Sequence, residues 1–290
     1  MWNGINSDIT VSLISGFALV TLLHACGFVL LYRIKFNPVN QRTILLNLAF
    51  SELGIGLTLA VVYLFVLSKN CNEDCYLADI FFAQLFTVTN KLVVIYLICD
   101  RVLEVQLNIK YPLYFSASNV QKIIMTLWFI TGGYSLTLVM LVKLKWSTNK
   151  TIETVMTSVM VAEDTIIIVT SVITYLILYQ KVRNITSEEK RQKTVQHNDK
   201  KIKSSKFMLP SLIIASYITF NLAGDIMFFY NLTLKKDDRL NAVTRLFWIL
   251  GWLADGILYV FLQKSIRNRL FAFFRRGSSR VASEGLTSSN

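Results

Sequence analysis

The chain has 290 residues, of which 53% are hydrophobic and only 17% are charged, and its mean hydropathy is +0.49. This composition argues against an ordinary soluble domain, in which about a quarter of the residues are charged. The net charge of +12 fits either a nucleic-acid partner or an asymmetric membrane topology. The positions of the basic residues along the chain distinguish between these two explanations of the net charge.

Seven stretches are long and apolar enough to cross a hydrocarbon core of about 30 Å. In chain order they are Ile9–Tyr32, Ile44–Ser68, Leu77–Cys99, Val120–Val142, Val155–Leu178, Phe207–Leu234 and Ala242–Leu262. The sequence therefore predicts an all-α membrane protein, a seven-transmembrane helix bundle over residues 9–262, preceded by an extracellular N-terminus over residues 1–8. Because no basic n-region precedes the first span, we expect a retained signal anchor rather than a cleaved signal peptide.

Lysine and arginine are unevenly distributed between the predicted loops. With the N-terminus outside, 21 of the 30 lie on the cytoplasmic side, and nine of these fall between Lys181 and Lys206. The asymmetry follows the positive-inside rule and places the C-terminus in the cytoplasm. We therefore expect a multi-pass plasma-membrane protein and no nucleic-acid partner.

Two segments follow the seventh span. In residues 263–276, apolar side chains recur at helical spacing with arginines between them, which predicts a short amphipathic helix on the cytoplasmic membrane face. Residues 277–290 are rich in serine, and they predict a disordered cytoplasmic tail that offers phosphorylation sites.

Three residues on the predicted outer side carry covalent chemistry. Cys71 and Cys75 flank the start of span three in an oxidising compartment, where a disulfide between them and two separate thiols are both compatible with the sequence. Asn149 opens an N-x-T sequon in the outer loop before span five, and it is the predicted glycosylation site.

Four polar side chains share one predicted depth near the bilayer centre. His24, Glu52, Asn90 and Asp255 stand nine to eleven residues from a basic residue at the inner edge. At about 1.5 Å per residue they lie about 14–17 Å into the membrane. Such groups are costly there and commonly mark a functional site. We expect one buried, hydrated cluster; four independent and locally satisfied side chains are the alternative.

A second set of polar residues lies further out and supplies the candidate ligand-binding side chains. These are Lys91, Glu163, Asp164, Asp225, Arg245 and Trp248. The acids and the arginine are about 26–30 Å from the inner edge by the same count, and we expect them to line an externally open cavity. Snorkelling towards the outer headgroups is the alternative for each residue taken singly. Lys91 lies deeper and needs a carboxylate partner, for which Glu163 or Asp164 is the prediction.

Catalytic motifs are absent from the sequence. It contains no metal-spaced His/Cys set, no phosphate-binding glycine loop, and neither G-x-S-x-G nor H-E-x-x-H. We therefore expect neither an enzyme nor an organic cofactor.

The chain contains Asn-Leu-Ala-Phe-Ser-Glu at 47–52, Asp-Arg-Val at 100–102, Pro-Leu-Tyr-Phe at 112–115 and Asp-Gly-Ile-Leu-Tyr at 255–259. In their order along the chain, these motifs resemble those of the rhodopsin-like (class A) G-protein-coupled receptors. Asp100–Val102 is similar to the family's Asp-Arg-Tyr, and Pro112–Phe115 to its Pro-Leu-x-Tyr. Asn47–Glu52 resembles the second-span Asn-Leu-Ala-x-x-Asp, Trp128 matches the single tryptophan of span four, and Asp255–Tyr259 resembles Asn-Pro-x-x-Tyr. The resemblance covers nearly the whole chain and implies the seven-helix receptor fold.

The resemblance also implies an activation switch at the inner ends of the spans. Arg101 would pair with Asp100 at rest, and on activation it would swing towards Tyr175, Tyr259 and a heterotrimeric G protein. Asp255 belongs to the same switch as Tyr259 through the seventh-span motif. By the same resemblance, a kinase and arrestin are expected partners of the tail.

A cation site is a further implication of the resemblance. Glu52, Asn90 and Asp255 correspond to the family's sodium-binding pocket, with His24 at the position of the first-span asparagine. A sodium ion at these residues is thus expected, with no other metal and no cofactor.

Several departures from the family pattern restrict the expected ligand class and the expected signalling behaviour. The sixth span carries Tyr217–Asn221 in place of the family's tryptophan motif, and the outer loop Lys143–Glu153 has no cysteine for the usual disulfide. Ala83 stands where amine receptors place Asp, and span seven has no lysine before Lys264, so neither a biogenic-amine receptor nor a retinal-binding opsin is expected. Lysines replace the acid that begins span six, which predicts signalling without ligand.

The expected function is therefore reception of an extracellular ligand and activation of heterotrimeric G proteins. The mixed charges of the outer layer favour a small polar or zwitterionic molecule or a short peptide. The alternative is a proton- or cation-coupled transporter that relays ions through His24, Glu52, Asp255 and Lys91. Transporters often contain broken spans, for which Gly132–Gly133 is the candidate in this sequence. A third reading is a receptor-like protein that does not couple.

Overall fold

The computed structural model describes residues 7–33, 39–68, 73–107, 110–144, 149–191, 212, 215–231 and 238–261. Nearly all of these residues are helical, and no strand occurs among them. The helices are α1 (Ser7–Arg33), α2 (Val39–Leu67), α3 (Glu73–Leu107), α4 (Tyr111–Tyr114), α5 (Ala117–Lys143) and α6 (Asn149–Arg191). A π-helix (Tyr217–Leu222), α7 (Ala223–Tyr230) and α8 (Asp238–Phe261) follow.

Five of the described helices are long and apolar enough to cross a membrane: α1, α2, α3, α5 and α6. The predicted all-helical fold and the capacity to span a membrane are thereby confirmed. The other two predicted spans correspond to the π-helix with α7 and to α8, whose 24 residues include Arg245 and Asp255. The count of seven spans stays a prediction.

The ends of the helices follow from local sequence. α1 has Asp8 in its first turn and Arg33 in its last, so that both charges oppose the helix dipole. α5 begins after Ser116, whose extended backbone lets its Oγ accept a hydrogen bond from the Asn119 N–H at 3.3 Å. The helix then continues without a break to Lys143.

The described helices pack into one bundle, in which α3 contacts three of the other long helices. α3 packs against α2, α5 and α6, and α1 packs between α2 and α8, while α7 lies between α6 and α8. Between two membrane helices, small residues permit close approach and dispersion supplies much of the attraction. At Gly56 of α2, a Cβ atom would come within 2.7 Å of the Thr21 hydroxyl of α1. The tight α1–α2 contact therefore depends on this glycine.

The outward surface of the bundle is apolar. Leu22, Phe129 and Ile173 are more than half exposed, on α1, α5 and α6 respectively. A soluble monomer rarely exposes extended apolar patches of this kind, whereas the hydrocarbon core of a bilayer accommodates them.

Two sequence predictions differ from the structure, and others lie outside the residues that it describes. α5 runs unbroken through Gly132 and Gly133, so the predicted candidate for a broken span is wrong. α3 and α6 extend beyond the predicted spans, α6 as far as Arg191. The predicted amphipathic helix at 263–276 and the tail at 277–290 lie outside the described residues, as do residues 1–6.

Candidate functional site

A buried polar cluster of His24, Glu52, Asn90 and Ser51 joins α1, α2 and α3, and we call it the mid-membrane cluster after its predicted depth. Nε2 of His24 lies 2.8 Å from Oε2 of Glu52, and both side chains are almost completely buried. The Asn90 amide donates to Oε1 of Glu52 at 3.2 Å, and its own Oδ1 accepts a hydrogen bond from Ser51 at 3.1 Å. Three of the four residues predicted to meet at this depth are therefore in direct contact.

The cluster extends to α8 through the backbone. Nε2 of His24 also lies 2.9 Å from the carbonyl oxygen of Trp252. This approach requires Gly256, where a Cβ atom would come within 3.0 Å of Nε2 and 2.7 Å of a methyl carbon of Leu23. The imidazole thus bridges the carboxylate of α2 and the main chain of α8.

Asp255, the fourth predicted member, is completely buried beside this group. Its charge interacts with that of Glu52, and Ser216 lies next to it. The Ser216 hydroxyl interacts with the Asp255 carboxyl group, and both residues are buried. Among the described residues, no group of three His, Cys, Asp or Glu side chains is arranged to hold a metal ion.

A second buried cluster forms around Lys91 on α3. Its Nζ lies 2.7 Å from Oδ2 of Asp225 on α7 and 2.8 Å from Oδ1 of Asp164 on α6. It also donates to the carbonyl oxygen of Met160 at 3.2 Å. Three oxygens thus match the three N–H groups of the ammonium in number. We call Lys91, Asp164 and Asp225 the lysine triad.

The structure selects between the two predicted partners of Lys91 and adds a third residue. Asp164 is an ion-pair partner of Lys91, and Asp225 is the additional partner. Asp225 is further held by Trp248 of α8, whose indole N–H donates to Oδ1 at 2.8 Å. Glu163 is buried near Tyr134 of α5, and its Oε2 has no hydrogen-bond partner among the described residues. The triad therefore connects α3, α6 and α7, and Trp248 links it to α8.

Arg245 lies towards the end of the bundle where α3 and α8 begin. Its guanidinium carbon is 5.2 Å from the ring centroid of Tyr63 on α2, within the range of a cation–π contact. Its charge also interacts with that of Asp79 on α3. The arginine is thus in contact with α2 and electrostatically coupled to α3.

A cavity of about 130 Å³ is lined by Arg245, by Lys91 and Asp225 of the lysine triad, and by Asn90 of the mid-membrane cluster. Asp79 and Arg245 line it at one end, Lys91 and Asp225 line it further along, and Asn90 with Tyr217 also contribute to its wall. Trp248, Trp252, Tyr76 and Phe228 supply aromatic surface. Of the predicted ligand-binding residues, Glu163 and Asp164 do not line it.

Asn90 and Tyr217 belong to both the cavity and the mid-membrane cluster. The amide of Asn90 lies 3.2 Å from the hydroxyl oxygen of Tyr217, and the same amide nitrogen donates to Glu52. Both residues are among those that line the cavity. A single layer of side chains therefore separates the cavity from the His24–Glu52 pair.

The other end of α3 carries the charged pair that the sequence marks as a switch. Asp100 is completely buried, and Oδ1 accepts a hydrogen bond from the hydroxyl of Tyr111 in α4. Arg101, Tyr175 and Tyr259 lie in α3, α6 and α8, and their side chains lie outside the described part of the structure. The predicted contacts of Arg101 thus stay predictions.

Other residues singled out from the sequence have defined positions. The Trp128 indole donates to Oδ1 of Asn47 at 3.2 Å, which ties α5 to α2. Cys75 is disulfide-bonded, whereas Cys71 lies outside the described residues. Asn149 is the first residue of α6, and its side chain is likewise not described.

Comparison with known proteins supplies no family assignment, because no protein-family model matches the chain and no curated protein matches it significantly. The function of the protein is therefore inferred from the residues and their geometry.

Proposed function

We propose that the protein is a seven-helix receptor of the plasma membrane, similar to the rhodopsin-like G-protein-coupled receptors, that activates a heterotrimeric G protein when an extracellular ligand binds. The N-terminus is extracellular and the C-terminus cytoplasmic in this proposal. The ligand enters the cavity between Asp79, Arg245 and the lysine triad. It is a small polar or zwitterionic molecule or a short peptide, because the charged residues lining this cavity are of both signs.

The observation that carries the proposal is the shared position of Asn90. It lines the cavity, and it donates to Glu52 in the cluster beneath. A ligand that moves Asn90 or its neighbour Tyr217 must therefore alter the hydrogen bonds of the cluster. A ligand shifts a conformational equilibrium only by its different affinities for the two states, and this contact supplies such a difference.

α3 provides the connection to the cytoplasmic side. The helix is continuous from Asp79 at the cavity, through Asn90 and Lys91, to Asp100 and Arg101. The 21 residues from Asp79 to Asp100 span about 32 Å at 1.5 Å per residue, which is about the thickness of the hydrocarbon core. A rotation or tilt of this helix at the cavity would displace the Asp100–Tyr111 contact at the opposite end.

Recruitment of a G protein to the receptor in cells tests the proposal. We expect measurable recruitment by the wild type, without ligand or in a ligand screen, and loss of recruitment in Arg101→Ala. Lys122→Ala is the matched control, because it likewise removes a basic residue from the predicted cytoplasmic side, and the Lys122 side chain is exposed. Equal recruitment by the wild type and Arg101→Ala contradicts the proposal, as does its absence across a broad screen.

One observation favours the competing transporter. Titratable side chains His24, Glu52 and Asp255 lie just beneath the cavity, so that an ion in the cavity is separated from them only by Asn90 and Tyr217. A transporter carries ions or protons across the membrane in reconstituted vesicles, and Glu52→Gln abolishes that flux. A receptor shows no such flux while retaining ligand-dependent recruitment.

A further inference from the structure

The charged residues that line the cavity differ in how far they are open to a ligand. Lys91 and Asp225 are only 4% and 1% exposed, and they form an ion pair with each other at 2.7 Å. Separating the partners of a buried ion pair is strongly unfavourable, so a ligand charge placed beside them has little to gain. Asp79 on α3 and Arg245 on α8 also line the cavity, but they are only partly buried. Asp79 and Arg245 are therefore the lining residues best placed to bind charged ligand groups.

Asp79 and Arg245 present opposite charges close to one another. The guanidinium of Arg245 lies over the ring of Tyr63, 5.2 Å from its centroid, and it also interacts with the Tyr63 hydroxyl. Tyr63 thus positions the guanidinium from the side of α2, and the charges of Arg245 and Asp79 interact. A ligand with a single charge would attract one of these residues and repel the other. A ligand that carries a cationic and an anionic group side by side would complement both.

The cavity wall beyond this charged pair is aromatic and apolar. On α8, Trp248 and Trp252 follow Arg245 at intervals of three and four residues, so the three side chains share one face of the helix. On α3, Ala83 lies about one turn beyond Asp79. Both helices begin at the end of the bundle where the charged pair lies, so these residues are deeper in the cavity. A ligand whose charged groups meet Asp79 and Arg245 would direct an apolar group towards the two tryptophans.

Trp252 links this apolar wall to the mid-membrane cluster. Its backbone carbonyl oxygen lies 2.9 Å from Nε2 of His24, and its ring packs against Phe17 with 6.0 Å between the ring centroids. A bulky ligand group that displaces Trp252 would also displace the carbonyl oxygen that contacts His24. The size of the apolar group thus affects the cluster as well as the affinity.

We infer that the ligand is a free α-amino acid with a large apolar side chain, its ammonium group bound to Asp79 and its carboxylate to Arg245. Its side chain lies against Trp248 and Trp252. An α-amino acid carries both charged groups on one carbon atom, so each charge of the ligand meets a charge of the opposite sign. Arginine binds carboxylates through strong charge-assisted hydrogen bonds. This inference rests on the proposed function for the identity of the site, and it selects a small zwitterion over a peptide.

Binding of matched probes to the purified full-length protein in detergent at neutral pH tests the inference. Phenylalanine carries both charges, phenethylamine lacks the carboxylate, and hydrocinnamate lacks the ammonium group, while all three share one skeleton. Each single-charge probe loses a charge-assisted contact, so we expect it to bind about tenfold more weakly than phenylalanine. Alanine keeps both charges but lacks the ring, and we expect it to bind at least about tenfold more weakly.

Two substitutions identify the residue that recognises each charge. In Arg245→Gln, the advantage of phenylalanine over phenethylamine should disappear, whereas its advantage over hydrocinnamate should remain. In Asp79→Asn, the advantage over hydrocinnamate should disappear and that over phenethylamine should remain. Lys143→Gln and Asp74→Asn are the matched controls, because they remove exposed charges that do not line the cavity, and they should keep both differences. Each difference compares two probes on one variant, so a general loss of stability cannot produce this pattern.

Several results would overturn the inference. They are equal affinity of phenylalanine and either single-charge probe for the wild type, both differences retained in Arg245→Gln or in Asp79→Asn, or no binding of phenylalanine, tryptophan or leucine at millimolar concentration. Tighter binding of phenylalanylglycine amide than of phenylalanine would point to a peptide ligand and would also contradict it. Because binding is measured without a G protein, amino-acid binding without recruitment contradicts only the proposed function, and recruitment without amino-acid binding contradicts only this inference.

Discussion

Tyr111 donates a hydrogen bond to Asp100, eleven residues earlier in the chain, and both side chains are buried. The contact joins α3 to the short helix α4 at the end of the bundle opposite the cavity. It gives the acid of the predicted Asp-Arg switch a defined partner other than the neighbouring arginine. A change in the position of α3 would have to break or carry along this hydrogen bond.

The first prediction concerns this contact. Tyr111→Phe removes the donor to a buried carboxylate, so we expect the free energy of unfolding to fall by about 1–3 kcal/mol. We also expect ligand-free G-protein recruitment to rise, because one restraint on the inner end of α3 is lost. Tyr114→Phe in the same short helix is the control, since Tyr114 is exposed. Similar effects of the two substitutions would mean that the hydrogen bond has no special role.

The second prediction concerns the lysine triad. Lys91→Met leaves Asp164 and Asp225 buried together without their cation, and we expect a loss of about 3–5 kcal/mol of stability. Thermal unfolding in detergent measures it, with Lys143→Met at an exposed helix end as the control. Adding Asp225→Asn to Lys91→Met should recover part of the loss, because it removes one of the two uncompensated charges. Additive losses in the double variant would contradict a direct interaction.

The third prediction uses two glycines in different environments. Gly256→Ala places a methyl group 3.0 Å from Nε2 of His24, and we expect overpacking to destabilise the protein by about 1–3 kcal/mol. Gly133→Ala is the matched control, because its added methyl group has no neighbour within 4 Å. Alanine favours a helix over glycine, so this variant should be unchanged or stabilised by up to about 1 kcal/mol. Thermal unfolding measures both variants: Gly256→Ala should melt below the wild type, and Gly133→Ala should melt at or above it. A Gly256→Ala variant that melts as high as Gly133→Ala would contradict the prediction.

The fourth prediction concerns the expected sodium ion. The carboxyl group of Asp255 is completely buried beside the hydroxyl of Ser216, and Glu52 lies nearby. If a cation binds there, replacing sodium chloride by choline chloride lowers the melting temperature of the wild type, since a ligand of the folded state stabilises it. Asp255→Asn should lose this dependence, whereas Asp74→Asn at an exposed position should keep it. A wild type insensitive to sodium would exclude the site.

The sequence was sufficient to group the residues of the mid-membrane cluster. Counting residues from the basic inner edge gives a depth, and polar side chains at one depth in adjacent helices tend to meet because the membrane penalises them singly. This is why His24, Glu52 and Asn90 were found together. The same reasoning predicted that Lys91 has a carboxylate partner, and Asp164 is one of its two.

Other contacts depend on how each helix is rotated about its axis. Counting residues from the inner edge of the membrane gives a depth but does not determine this rotation. Asp225 faces Lys91 whereas Glu163, next to Asp164 in the chain, does not ion-pair with it. Tyr217 and Trp252 were not predicted to join the mid-membrane cluster, because one contributes a hydroxyl and the other a backbone carbonyl.

The π-helix at Tyr217–Leu222 changes the direction in which the residues after it point around the helix axis. Tyr217 meets Asn90 and Asp225 meets Lys91, so residues eight positions apart contact consecutive residues of α3. In a regular α-helix, a separation of eight residues ends about 80° beyond two full turns. The wider π turn advances less per residue and removes part of that offset. Because the six π-helical residues turn less per residue, Tyr217 and Asp225 are both directed towards α3.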